Sequence, residues 1–272
     1  MLLLPVVLSA SACILDSAPL GDGLLLLERD ALTWDGDPGR FAALEAGCDR
    51  LFGPATSPDG GTVAVWAGSD DRDCILLVRS GGIEVLGPYG EAGLPTWDGE
   101  GGLWFTADGE LLEGGEPVGL SLDAYHVSVS PGLDRVVYTD MDDRILATSI
   151  ATGETEVIAD SHRFYAPFFT PQGWIVSPSL DGGILLFSGD CAVPVSPGEQ
   201  PVWWGARGGI LFLRTTDDGE RLLTSDIWLW TPEGGAECLA ETPGVLEIHP
   251  VPDGSIVRYV DSATGLPGSL EP

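Results

Sequence analysis

One turn recurs through this chain. Its fullest form is Pro54-Ala55-Thr56-Ser57-Pro58-Asp59-Gly60-Gly61-Thr62-Val63-Ala64-Val65, where a strand end, a tight turn and a new strand are packed into twelve residues. Pro58 presets φ for a turn, Asp59 can bond back to its own backbone, and Gly60 accepts a positive φ that a Cβ resists. The alternation Val63, Val65 then opens a half-buried strand. Echoes lie at Pro95–Gly101, Val127–Gly132, Pro167–Gly173, Pro201–Gly205 and Pro250–Gly254.

Taking Ser57, Asp98, Ser130, Thr170, Trp204 and Val251 as equivalent anchors, the intervals are 41, 32, 40, 34 and 47 residues. A period near 40 with several strands per unit is the signature of a propeller. Each unit reads as an inner strand that enters the turn, a second apolar strand, and two outer strands. The insertion 215–225 explains the long fifth interval. After 255–260 the sixth unit has too little chain left for two outer strands, whereas 24–32 and 40–44 are strand-like and carry no such turn. The fold expected is therefore all-β: a six-bladed propeller of four-stranded antiparallel blades, its ring closed by N-terminal strands that complete the last blade. Thirty-eight Gly and twenty-one Pro suit many short strands, and no window carries a sustained helical stripe.

The pattern Pro-x-aromatic-Ser-Pro-Asp-Gly, whole or in part at the six anchors, resembles the six-bladed propeller of TolB and its relatives with their WD-like repeats. The resemblance spans roughly residues 20–265 and implies the fold module alone.

Twelve Lys plus Arg against forty-two Asp plus Glu give a formal charge of −30, which repels phosphate backbones and anionic membranes. Nucleic acid is excluded as a partner. Residues 1–12 read as a secretory leader, an apolar run too short to span a bilayer, with 13–20 a short linker and 21–272 one propeller domain. Ala10-Ser11-Ala12-Cys13 resembles a bacterial lipobox, which implies a lipid on Cys13, a tether to the envelope and a periplasmic or outer-membrane location. Simple secretion is the alternative. Cys48, Cys74, Cys191 and Cys238 are an even set in an oxidising compartment, and proximity favours pairing Cys48 with Cys74 and Cys191 with Cys238.

No nucleophile elbow or Ser/His/Asp order is present, so the expectation is a chain without enzyme activity, cofactor or metal site. Against it stands a channel metal enzyme using His126, His249 and acidic residues. Nine tryptophans allow a carbohydrate-binding module, although strand positions favour packing. The acidic runs at 35–37, 70–73, 140–143 and 217–218 lack a calcium-loop pattern and read as hairpin tips. The connections from each outer strand to the next inner strand gather at one mouth of a propeller, where rigid scaffolds place binding groups. Aromatic and acidic residues recur there, on the connections 87–91, 122–125 and 160–165, and the candidate contacts are Tyr89, Tyr125, His162, Arg163 and Tyr165. The function expected is a monomeric, non-catalytic scaffold that binds a protein or peptide of the envelope through that mouth.

Overall fold

In the computed structural model the residues described are 16–21, 23–27, 32–34, 50–189, 191–217, 222–242, 244–250, 256–261, 264 and 267–271. They are strands almost throughout; a single 3₁₀ turn, Gly205–Arg207, is the helical content among them. All six motif-bearing units appear as antiparallel sheets in chain order. Blade 1 runs Arg50–Thr56, Thr62–Gly68, Asp73–Arg79, Gly82–Tyr89; blade 2 runs Thr96–Trp97, Leu103–Ala107, Glu110–Glu113, Glu116–Ser121. Blade 3 runs Val127–Val129, Arg135–Thr139, Ile145–Ser149, Thr155–Ala159; blade 4 runs Phe168–Phe169, Ile175–Ser179, Gly183–Ser188, Cys191–Ser196. Blade 5 comprises Glu199–Trp204, Gly209–Asp217, Leu222–Thr231, Gly235–Ala240, and blade 6 comprises Val245–Pro250, Val257–Asp261, Pro267–Leu270. The insertion after Arg214 is a lengthened hairpin, its strands paired from Ile210↔Trp230 out to Asp217↔Leu222.

The ring closes differently from the expectation. Asp16–Leu20, Gly23–Leu27 and Leu32–Trp34 form a sheet of their own, set between blades 1 and 6, and no ladder joins them to blade 6 among the described residues. The supposed linker thus supplies an inner strand, with residues 1–15 and 40–44 outside the described residues. Gly21, at φ 57°, lets Leu20 and Gly23 close a local hairpin, so the N-terminal strands pair with one another.

Apolar faces meet between successive blades. Leu20, Leu25 and Leu27 pack on Val63, Leu76 and Val78 of blade 1, and Trp66 and Ile75 pack on Phe105 of blade 2. The pattern repeats round to blade 6, where Trp204 and Leu211 of blade 5 meet Ile248 and Val257. At the last joint, blade 6 against the N-terminal sheet, the described side chains are polar: buried Ser17 donates to Glu247 Oε2 at 2.6 Å and lies 2.9 Å from His249 Nε2.

The repeated turn is held by an oxygen at the anchor position. Ser57 Oγ accepts the Thr62 N–H, Asp98 Oδ1 the Gly102 N–H, Ser130 Oγ the Arg135 N–H and Thr170 Oγ1 the Trp174 N–H. All four anchors are buried. Asp59, by contrast, sits at the surface, where the Ser57 hydroxyl (2.6 Å) and the Gly61 N–H hold its carboxyl below the ordinary carboxylate value. The anchor oxygen is therefore the common element and Asp59 an accessory. Ser57→Ala is expected to destabilise the chain by about 1–2 kcal/mol, since it removes the acceptor of the part-buried Thr62 N–H; urea unfolding checks this, and an unchanged midpoint refutes it.

Candidate functional site

An antiparallel four-stranded meander puts its first and third turns at one end and its second turn, with the exit to the next blade, at the other. Gly21 N–H to Gly60 O links neighbouring anchor turns at the first end. The opposite end is the mouth, stitched between blades by loop contacts. Asp108 Oδ1 accepts the N–H groups of Gly90 and Glu91, and an isolated bridge joins Ala92 to Ala107. Two blades on, Phe164 bridges Ser179 in the same way.

Between those two joints the stitch is missing. Loop 122–126 is drawn back onto blade 2: Leu122 N–H donates to Gly109 O, Thr106 Oγ1 to Ala124 O (2.5 Å) and Leu94 N–H to Tyr125 O (2.7 Å). No bridge joins it to the end of blade 3's second strand among the described residues. A groove of about 280 Å³ is left open there, with Tyr125 on one wall, Thr139, Asp140 and Met141 on the other, and Glu91, Asp108 and Asp123 at its edge. No Lys or Arg lines it.

Tyr125 is 62% exposed and Met141 99%. The surface continues into blade 4, because Asp143 O accepts the Phe164 N–H, Asp143 Oδ2 accepts Arg163 Nε at 2.9 Å, and Arg163 O accepts the Leu180 N–H. Leu180 and Tyr165 add exposed apolar side chains, at 54% and 36% exposure. Arg144 pairs with Asp140 and Asp142 and Arg163 with Asp143, while His162 Nδ1 lies 3.3 Å from Asp181 Oδ2. Burial pushes the Asp140 carboxyl up, but bonds from the Arg144 guanidinium and the Arg144 and Asp142 N–H groups outweigh it, so the carboxyl lies below its usual value. The side chains of Glu91 and Asp123 have no ion pair or hydrogen bond among the described residues.

Of the sequence-predicted mouth residues, Tyr125 is on the groove and Tyr165 on its continuation. Tyr89 turns inward against Phe105, ring centroids 5.6 Å apart, between blades 1 and 2. His162 and Arg163 belong to the stitch between blades 3 and 4. Glu91 and Asp123 belong to connections the sequence placed at the mouth, whereas Met141 and Leu180 escaped the sequence reading, although the meander rule places hairpin tips at the same end as the loops.

The other candidates do not converge. His249 contacts Ser17 and Glu247 at the closing joint, while His126 begins blade 3 on the far side of several blades, beside Leu94. Among the described residues no group of three or more His, Cys, Asp or Glu is arranged to hold a metal. Cys191 and Cys238 are unbridged, which corrects their expected pairing: they lie on outer strands of adjacent blades, Cys191 opening its strand beside Ser188 and Cys238 midway along beside Trp228. Cys74 is buried, and Cys13 and Cys48 lie outside the described residues. The indoles of Trp66, Trp104 and Trp204 are buried and those of Trp97, Trp174, Trp203, Trp228 and Trp230 half-buried between blades; Arg214 lies over Trp228 at 3.7 Å. The tips 70–73 and 140–143 are hairpin turns, bonded internally through Asp71 and Asp140.

No family model matches this sequence, and no curated protein matches it. Solved structures do. An oligogalacturonate lyase in complex with manganese superposes at TM-score 0.58 and 12% identity, over 79% of this chain and 75% of that one. An oligogalacturonate lyase of Vibrio parahaemolyticus gives 0.61 at 12% identity over 94% and 84%, and a chain of a mitotic checkpoint complex gives 0.64 at 14% over 92% and 82%. At such identities the likeness establishes the propeller fold alone. It also corrects the expectation that the chain is not an enzyme, because the fold is one that oligogalacturonate lyases use.

Proposed function

We propose that this protein is a recognition propeller of the bacterial cell envelope, held by a lipid on Cys13, that binds a protein or peptide partner across the mouth formed by blades 2, 3 and 4. The observation that carries this is the set of exposed apolar side chains, Tyr125, Met141, Tyr165 and Leu180, on loops and hairpin tips at one end of rigid sheets. Exposed apolar groups gathered on one face of a monomeric scaffold mark an interaction site, whereas the same groups scattered singly do not. The TolB-like turn pattern of the sequence supports the envelope assignment.

The test is affinity capture from envelope extracts with wild-type protein, a Met141→Asp, Leu180→Asp double variant, and Glu84→Gln on an outer strand of blade 1. The mouth variant is expected to lose the wild-type protein's specific partner, since a desolvated apolar anchor contributes about 2 kcal/mol or more to an interface. Glu84→Gln keeps it. Retention of every partner by the mouth variant sinks the proposal.

A further inference from the structure

The missing stitch between loop 122–126 and blade 3 suggests what the partner presents. At the two neighbouring joints that place is filled by an extended backbone segment of the chain itself, through Ala92↔Ala107 and Phe164↔Ser179. Here the corresponding segment is held away by three bonds to blade 2. The groove, about 280 Å³, is lined by an aromatic ring, Tyr125, and a thioether, Met141. Thioethers are adaptable contacts for apolar side chains.

Charge then selects the occupant. Glu91 and Asp123 line the groove without a cationic partner among the described residues, no Lys or Arg lines it, and Arg144 and Arg163 are already paired. The whole chain carries −30. We infer that the groove takes a short extended segment of a basic polypeptide, with an apolar side chain between Tyr125 and Met141 and a Lys or Arg side chain on Glu91 and Asp123. This rests on the mouth reading above and adds to it a partner chemistry. The mode is strand addition, in which backbone contacts hold the segment and alternate side chains are read from the two walls.

Fluorescence polarisation with labelled hexapeptides alternating Lys with Leu, Ser with Leu, or Glu with Leu tests it on the full chain. The Lys–Leu peptide is expected to bind, the Ser–Leu peptide about tenfold more weakly, and the Glu–Leu peptide not measurably. Tyr125→Ala, and separately Glu91→Gln with Asp123→Asn, should each weaken Lys–Leu binding about tenfold. Glu233→Gln with Glu237→Gln, on the outer edge of blade 5, should leave it unchanged. Equal loss in the blade 5 variant would reduce the effect to bulk charge and overturn the inference, as would equal binding of Ser–Leu and Lys–Leu. Should the Lys–Leu peptide fail while Met141→Asp, Leu180→Asp still loses its captured partner, the mouth reading stands and the basic segment falls. Should the peptide behave as expected while that double variant keeps its partner, the native partner binds elsewhere and the mouth reading falls instead.

Discussion

Gly93→Ala is expected to destabilise the protein by about 2–3 kcal/mol and to abolish binding at the groove. Gly93 is buried under loop 122–126, and a Cβ placed on it would lie 2.5 Å from Thr106 Oγ1, 2.8 Å from Tyr125 O and 2.9 Å from Ala124 O. Two of those three atoms are backbone, so the loop must move. The carbonyls concerned are the acceptors that draw the loop onto blade 2, for Leu94 N–H and Thr106 Oγ1. Losing them swings Tyr125 out of the wall it forms and into the groove. Gly99→Ala is the control, because its Cβ meets nothing within 4 Å, and it should change stability by less than about 0.5 kcal/mol. Urea unfolding and the Lys–Leu peptide titration read the two effects. A Gly93→Ala protein with wild-type stability and affinity would mean that the loop does not set the groove.

That prediction turns on a contact between blades, and such contacts divide what the sequence exposed from what it concealed. The repeated units were legible because their turns are local events: in four of them the anchor oxygen, the bonded N–H and the glycine lie within five residues of one another. The N-terminal sheet was not, although Pro19-Leu20-Gly21-Asp22-Gly23 has the same punctuation and Leu20 stands 37 residues before Ser57, within the spread of the other intervals. In the second blade the Gly-rich run 110–119 hid two strands, split by Gly114 and Gly115 at φ 59° and 96°.

The mouth was legible as a place and not as a surface. Tyr89 and Tyr125 occupy comparable connections, yet one ring is turned inward on Phe105 and the other faces solvent. The difference depends on whether a loop finds a bridge in the next blade, a non-local fact with no local signal. Met141 shows the reverse. Its neighbours Asp140, Asp142 and Asp143 mark a charged hairpin tip, and that composition disguised an apolar side chain exposed at the centre of the face. The closing joint raises the same difficulty, since Ser17 and Glu247 meet across 230 positions.

Acidification from pH 6.5 to 4 should cost the protein on the order of 3 kcal/mol through one residue, His126. The residue is partly exposed, while its Nδ1 is shielded and has no hydrogen-bond partner among the described residues. Burial alone pushes its pKa down from 6.5 to about 4. The folded chain therefore keeps the ring neutral where the unfolded chain protonates it. Between those two values the unfolded state binds more protons, so stability is complete above pH 6.5 and falls as pH drops toward 4. Carboxylates held below their ordinary value, such as Asp140, lose their contribution only at still lower pH, as it falls through the depressed folded-state value, so the two windows separate. His126→Leu removes the titrating group and is expected to flatten the stability profile between pH 6.5 and 4 while leaving the lower limb in place. Because Leu94 bridges His126 and donates to Tyr125 O, the acid effect should appear first as faster hydrogen exchange at Leu94. If His126→Leu and the wild type lose stability in parallel across that interval, the acid sensitivity belongs to other groups and the buried ring is a packing residue alone.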